Sequence, residues 1–555
     1  MGRRIRAIVA LGCLVLLGII QVGPSAPAGA TPTRPSRVLI VVLDQMRPDY
    51  VERFDMENVA AVMAGGVNFH RAFLGHMAAE TVISHNVITS GMFPKHMGWA
   101  NEVMRDADDV FGAAEGEYVV TSSMGCGQFG QLVVHEGYPK LGDYLDQVAP
   151  GGDARFVAIG QKTTASCNAG QPADANDIVV RAGSAATLDC DGDGTSERWR
   201  PPAGVNVPAY IGAFCGRFYV NVTPTYGTAT TSPAWMYPLD GDRFAIGTST
   251  DHVGGDIWTA DAAIEVMRND PDWDGMLVSL PSIDKMGHMW GTGADDPGPS
   301  GVGDDVFDFA HLPKVAEIAD EQVGKLMGEL EAQGLVDETL VVLTADHAGH
   351  TAHRFHGVDA FDRGNFNWYY GQDADETYLS PSPDLAPLVP GNPNVDFTYQ
   401  DGHIAVFLDD SSVPAMREAA LDVLELPDVI AAYYRDGDRY VRHGPLGPMG
   451  RREFSWWQRY GQRLVDTMAA DFGPDVVGLL RDDTSYGVIG DHGGHQRLIQ
   501  EIPMVFSWPG LEAGAKPGVE IRSVDIVPTI LRLMGIEADP EHPMDGRAVR
   551  LPMAG

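Results

Sequence analysis

The run SRVLIVVL at Ser36–Leu43 is apolar at six consecutive positions and ends on an acid, Asp44. A strand with one wet face alternates apolar and polar residues. A run without alternation belongs to a strand covered on both faces, as in a parallel sheet. The pattern recurs at Phe156–Ile159, at Met276–Leu280 just before Pro281 and Asp284, at Thr339–Leu343 just before Asp346, and at Ile502–Phe506. Helical stretches fall between these runs. Val59–Ala64 stops at Gly65-Gly66, and Val524–Met534 follows the last strand. Pro313–Ala332 carries Val315, Ile318, Ala319, Val323, Leu326 and Leu330 at helical spacing and stops at Gly334. Strands alternating with helices predict an α/β fold with a mostly parallel central sheet flanked by helices. Chemistry is then expected at the carboxyl edge of that sheet.

Two regions break the rhythm. Residues 168–255 are rich in Gly, Pro, Asp and Thr, and residues 361–480 hold many aromatics. Both read as insertions that cap the sheet of one catalytic domain over 31–555. The second insertion contains a small β-α-β pattern at His403–Leu408, Val413–Leu424 and Val429–Tyr434.

Residues 1–30 read as a secretory signal peptide. Arg3, Arg4 and Arg6 form its basic end, Ala7–Ile20 is uncharged, and Ala28-Gly29-Ala30 is a small-x-small cleavage site. The apolar stretch is short for a membrane span, and Pro24 and Pro27 follow it. The expectation is a secreted protein, extracellular or periplasmic, with no membrane attachment after cleavage. Beyond Cys13, the four residues Cys126, Cys167, Cys190 and Cys215 suit one or two disulfides in an oxidising compartment. Acids outnumber bases 76 to 39. That balance argues against binding a nucleic-acid duplex, which needs clustered Lys and Arg. A phosphorylated substrate would need local cations, and bound metals supply them. The composition sets no oligomeric state.

Six short segments concentrate metal-ligand residue types: LDQMRPD with Asp44, AETVISH with Thr81, GWANE with Asn101, SIDKMGH with Asp284 and His288, TADHAG with Asp346 and His347, and GDHGG with His492. Asp and His without a CxxC pair favour Zn²⁺ or a similar ion. Asp284 and His288 are four apart, so one helical turn puts them on one face. Asp346 and His347 sit just past a strand. Each fragment alone reads equally well as a turn or a cap. Their order, and their position at strand ends, point to metal-assisted chemistry.

In this order the segments resemble the type I phosphodiesterase/nucleotide pyrophosphatase branch of the alkaline phosphatase superfamily. The match is most specific at the Thr81 block with the following TSGMFPKHMG, at DKMGH, at LVVLTADHAG, and at the closing HGG…IPMVFSWPG. The resemblance implies an alkaline-phosphatase-like sandwich and two divalent metal ions, by ligand type Zn²⁺. One ion would be held by Asp284, His288 and His492. The other would be held by Asp44, Asp346 and His347, with Thr81 on its open face. His492 suits the family's HGG context better than His495. Thr81 would take the phosphoryl group, a role its hydroxyl fills poorly unless a cation activates it. Asn101 would donate to a phosphate oxygen, although it follows the Thr81 block one residue sooner than in the family. Lys162, in AIGQKTTAS, matches a Lys that some monoesterases of this branch use on the extra phosphate charge. Thr164 stands where those enzymes carry Arg. A solvated loop charge is the alternative for Lys162.

The implied function is hydrolysis of a small-molecule phosphate ester, a phosphodiester or a nucleotide pyrophosphate, through a phospho-threonine at Thr81. A phosphomonoesterase, a phosphonate hydrolase and a non-catalytic metal-stabilised binding protein are the competing readings. Separately, Asp189, Asp191 and Asp193 with Gly194 match the start of an EF-hand loop, but Arg200 replaces its bidentate Glu. A shortened loop closed by Glu197 would hold a structural Ca²⁺; an acidic turn is the alternative. Trp235, Trp258, Phe366, Trp368 and Tyr369 suit either nucleobase stacking or cap packing.

Overall fold

The computed structural model describes residues 34–112, 117–181, 186–188, 197–199, 202–212, 255–290, 292, 311–356, 389, 391–487 and 490–555. Its centre is an eight-stranded sheet. In chain order the strands are β1 (Arg37–Leu43), β2 (Val67–Asn68), β3 (Phe156–Gly160), β4 (Ile178–Arg181), β5 (Ala203–Val205), β6 (Gly275–Leu280), β7 (Thr339–Thr344) and, late in the chain, Met504–Ser507. Across the sheet the order is β5-β4-β3-β6-β1-β7, then Met504–Ser507, then β2. The strands β4, β3, β6, β1 and β7 are parallel. The three outer strands are antiparallel to their neighbours.

Every residue from Val38 to Leu43 is fully buried, because helices flank the sheet. One group is α1 (Thr81–Ser90), α2 (Thr163–Gly170) and the late helix Ile526–Met534. The other is α3 (Gly255–Asn269), α4 (Ser282–Trp290) and α5 (His311–Gln333). On α5 the residues Val315, Ala316, Ala319, Val323 and Leu326 form the buried stripe that the spacing predicts.

Register sets the site. Leu43 lies opposite Leu280, Val42 opposite Thr344, and Ser279 opposite Gly160. Four strands therefore end at one level, and Asp44, Lys162, Asp284 and Asp346 follow them along one edge.

A second sheet has five antiparallel strands in the spatial order β8 (Val395–Gln400), β9 (His403–Leu408), β12 (Val476–Leu480), β10 (Val429–Asp436), β11 (Arg439–His443). The predicted β-α-β unit is present, but β12 lies between its two strands and pairs antiparallel with both. The helix α6 (Val413–Val423) packs on this sheet over its own apolar cluster, which includes Ile404, Val406, Ala419, Val423 and Val476. From the other face, Ile430, Tyr433, Val477 and Leu479 join the main core.

One expectation needs correction. The stretch 168–255 is not wholly a cap, since β4 and β5 fall within it and extend the central sheet. The surrounding Gly and Asp obscured two strands of only four and three residues. Cys126 and Cys167 form a disulfide that ties α2 to the preceding segment; Cys190 and Cys215 lie outside the described residues. So do residues 1–30. Among the described residues no helix is long and apolar enough to cross a membrane.

Candidate active site

Along the carboxyl edge, each group arrives by a short route from its strand. Asp44 directly follows β1. Gln45 next to it has φ 61°, the left-handed region that a non-glycine residue adopts at a cost of about 1–2 kcal/mol. Its backbone N–H donates to Asp346 Oδ1 at 3.3 Å, and its side-chain amide donates to the Gly490 carbonyl at 3.2 Å. Asp346 and His347 follow β7, and Asp284 and His288 lie one turn apart on α4. His492 comes from the late GDHGG loop. A Cβ at Gly490 would fall 1.6 Å from the Gly287 carbonyl oxygen, so this loop reaches α4 only because residue 490 has no side chain.

The side chains converge. Asp284, His347 and His492 offer ligand atoms that all lie within 4.8 Å of one another, as do Asp44, Asp346 and His347. All are buried. His347 Nε2 is 3.5 Å from Asp44 Oδ1 and 3.6 Å from Asp346 Oδ2. His288 stands at the first group, with Nε2 3.0 Å from Asp284 Oδ1 and 3.2 Å from His492 Nε2. His492 rather than His495 meets these groups. The neutral His495 ring is buried, and burial pushes its pKa down to about 3.

Between the two groups sits an ammonium. Lys162, just before α2, places Nζ 2.6 Å from Asp44 Oδ2, 2.7 Å from Asp284 Oδ2 and 3.1 Å from Thr81 Oγ1, to which it donates. Thr81 opens α1, a helix whose ten residues are all buried. One turn on, His85 meets the Thr81 carbonyl through Nδ1 at 2.8 Å and Ser279 Oγ through Nε2 at 3.0 Å.

The electrostatics are those of crowded acids. Burial, reinforced by Asp284 and Asp346, raises the Asp44 pKa well above the carboxylate range, against the pull of Lys162. Burial works against the Lys162 charge, yet Asp284, Asp44 and Asp346 raise its pKa beyond the ordinary lysine value. Burial, then His492, pushes His347 well below the usual imidazole range and keeps its lone pair free. Among the described residues, Asp346 Oδ2 and both His347 ring nitrogens have no hydrogen-bond partner. Three buried carboxylates facing one ammonium and the neutral His347 imidazole fit divalent cations, which would relieve the repulsion.

A sequence model of the type I phosphodiesterase/nucleotide pyrophosphatase family matches residues 38–120 and 198–400, more than half of the chain. The chain belongs to this family. Alkaline phosphatase PhoK of Sphingomonas sp is 22% identical over 560 residues, covering 94% of this chain and 91% of PhoK. The fold matches wild-type alkaline phosphatase PafA with a TM-score of 0.57 at 15% identity, over 91% of this chain and 96% of PafA. It matches murine ectonucleotide pyrophosphatase/phosphodiesterase 5 with a TM-score of 0.52 at 12% identity, over 91% and 96% of the two chains. This member of the phosphodiesterase family is thus a phosphoester hydrolase of the alkaline phosphatase superfamily, with residues suited to divalent metals.

Other expected residues fare differently. Asn101 is buried, and one end of its amide faces three acceptors, Glu80 Oε1 at 3.0 Å, His403 Nε2 at 3.2 Å and the Ala100 carbonyl at 3.2 Å, so hydrogen-bonding logic assigns the nitrogen to that end. Donating to substrate would require it to exchange one of these acceptors. Trp258 is 1% exposed within α3, which suits packing rather than base stacking. Trp235, Phe366, Trp368, Tyr369, Asp189, Asp191 and Asp193 lie outside the described residues, and of Glu197 only its place in a short strand is described.

Sequence reasoning missed Gln45, Glu80, Asp256, Asp401, His403 and Asp491, all buried around the site. Asp401 directly follows β8 in the turn of an antiparallel hairpin, whereas the rule of carboxyl ends concerns parallel sheets, and β8 was not recognised as a strand in the sequence. Asp491 stands beside His492 inside a segment already singled out, and adjacency to a ligand was the available clue.

Proposed function

We propose that this enzyme hydrolyses phosphodiester or nucleotide-pyrophosphate bonds through a phospho-threonine at Thr81. The observation that carries this reading is the Lys162–Thr81 contact of 3.1 Å within reach of Asp44 and Asp284. It puts a hydroxyl and a cation beside two buried clusters of ligand atoms. Asp284, His288 and His492 would hold one divalent ion, and Asp44, Asp346 and His347 the other. When bound, such ions, of which Zn²⁺ suits the ligand types best, supply Lewis acidity and lower the pKa of coordinated hydroxyl groups.

The chain's own groups do the rest. The Lys162 ammonium stabilises negative charge on Thr81 Oγ1 as its proton leaves. The α1 N-terminus favours the anionic phosphoryl group. The Thr81 proton passes to solvent, Oγ1 attacks phosphorus, and the bond to the leaving oxygen breaks as that oxygen takes a proton from water; a second water then attacks phosphorus, breaks the phosphorus–Oγ1 bond and gives a proton to Oγ1, restoring the hydroxyl. Thr164 in place of Arg leaves one cation beside the phosphoryl group, which favours a diester over the doubly charged monoester. The known complex of an inactive threonine-to-alanine variant of murine ectonucleotide pyrophosphatase/phosphodiesterase 5 with AMP agrees with a nucleotide-type substrate. The signal-like residues 1–30 and the Cys126–Cys167 disulfide support export.

The test is hydrolysis of a bis-aryl phosphate by the metal-loaded chain and its Thr81→Ala variant. Loss of about a thousandfold or more in kcat is expected, as for removal of other catalytic nucleophiles. Equal rates would reject the reading. A better catalytic efficiency on an aryl monophosphate, abolished in Lys162→Ala, would favour the monoesterase instead.

A further inference from the structure

The second sheet meets the ligand cluster at the two-residue turn Asp401-Gly402 between β8 and β9. His492 Nδ1 lies 3.1 Å from Asp401 Oδ2, and both side chains are 8% exposed. The pair stands at ion-pair distance, and among the described residues neither atom has a hydrogen-bond partner. The opposite nitrogen of the same ring, Nε2, faces His288 Nε2 at 3.2 Å and Asp284 Oδ1 at 3.6 Å. The ring is thus held at one end and presented at the other.

The contact is built at the closest spacing a backbone allows. A Cβ at Gly493 would fall 2.2 Å from Asp401 Oδ2, and a Cβ at Gly402 would fall 2.1 Å from the His492 carbonyl oxygen. His403 Nδ1 bonds the Gly493 carbonyl, and the Gln496 amide donates to the Gly402 carbonyl at 3.1 Å. Behind Asp401 stands the buried Asp491, which accepts a hydrogen bond from Ser485 Oγ.

We infer that Asp401 is a positioning residue: its carboxylate accepts the Nδ1–H of His492, fixes that tautomer, and aims the Nε2 lone pair at the Asp284 side of the site. This rests on the reading of His492 as a metal ligand. The second sheet would then act on the centre without supplying a ligand to it, since an outer carboxylate fixes the orientation and raises the basicity of a ligating imidazole.

Two measurements on the full chain test this. In the metal-free protein labelled with ¹⁵N-histidine, His492 is assigned by the signal that His492→Ala removes. It should be the Nδ1–H tautomer in the wild type and shift toward Nε2–H in Asp401→Ala. In a Zn²⁺ titration against a chromophoric chelator, His492→Ala should lose one of two tight sites. Asp401→Ala and Asp401→Asn should weaken that same site by about 10- to 100-fold and leave the other within about twofold. Asp401→Asn keeps the volume and carries both measurements if Asp401→Ala fails to fold. An Nε2–H tautomer in the wild type, or an unchanged tautomer and unchanged zinc affinity in the Asp401 variants, would overturn the proposal. Two intact zinc sites in His492→Ala would instead sink the ligand reading, while the tautomer still decides whether Asp401 orients the ring.

Discussion

The central sheet reaches the site with the carboxyl ends of four neighbouring strands, whereas the second sheet meets it through the turn Asp401-Gly402. The first route brings Asp44, Lys162, Asp284 and Asp346 to one site, where Lys162 Nζ lies 2.6 Å from Asp44 and 2.7 Å from Asp284. The second brings one carboxylate against the far side of one imidazole. Parallel strands that end in register concentrate charge, and the concentration is what a divalent centre needs. An antiparallel hairpin offers only its turn, so it can adjust one group but cannot assemble a set. Edge residues should therefore matter most, groups that brace the edge less, and groups in the turn least.

The largest effect belongs to the edge. Asp284→Asn removes one member of a buried charge set, and breaking such a set costs about 3–5 kcal/mol, or about a thousandfold in an equilibrium. Expected are loss of one bound metal ion per chain, measured by elemental analysis after gel filtration, and a comparable fall in kcat/KM. An Asp284→Asn variant no worse than Asp401→Asn would break the proposed ranking of edge over turn.

Asp256 braces the edge from behind. At the start of α3, it accepts the Ser282 backbone N–H at 3.0 Å and so anchors the N-terminus of α4, which carries Asp284 and His288. Burial pushes its carboxyl up to about 7 from 3.8, against the pull of Ser282. The folded protein therefore keeps a proton that the unfolded chain releases near pH 4. Its contribution to stability is complete below about pH 4 and is lost as pH rises through about 7, roughly 4 kcal/mol in all. Asp256→Asn keeps an acceptor and cannot titrate. Urea unfolding of the metal-loaded protein from pH 4 to 8 should show the variant-minus-wild-type difference rising with pH over that window. A flat difference would remove Asp256 from this role.

The same contrast explains what the sequence made legible. Val38–Leu43 and Leu340–Leu343 are buried on both faces, and their unbroken apolar runs identified them as central strands. Asp44, Asp284, Asp346 and His347 were visible because each lies within four residues of such a run. β4 and β5 were obscured because strands of four and three residues are too short to carry a periodicity. β12 was not recognised because its partners precede it by tens of residues, and only tertiary pairing puts it between β9 and β10. Asp401 was invisible for the same reason: nothing local relates it to His492, 91 positions on. Lys162 read equally well as a solvated loop charge, because a lysine after a strand is common; its burial between two carboxylates depends on the register of β3 against β6.

The smallest effect tests the turn alone. A methyl group at Gly402 would meet the His492 carbonyl oxygen at 2.1 Å and Gly494 N at 2.9 Å, both backbone atoms that cannot rotate aside. Gly402→Ala must therefore move the turn away from the 492–494 loop, at a cost of about 1–3 kcal/mol. The strands that deliver Asp44, Asp284 and Asp346 are untouched by that shift. Activity and zinc affinity should fall by less than in Asp284→Asn, and the loss should match that of Asp401→Asn if the turn acts only through His492. Gly328→Ala is the control: it lies in α5 with nothing within 4 Å of its Cβ position, so thermal denaturation should show a gain of up to about 1 kcal/mol from helix propensity. If Gly402→Ala behaves like Gly328→Ala, the second sheet does not press on the site, and the turn is only a nearby loop.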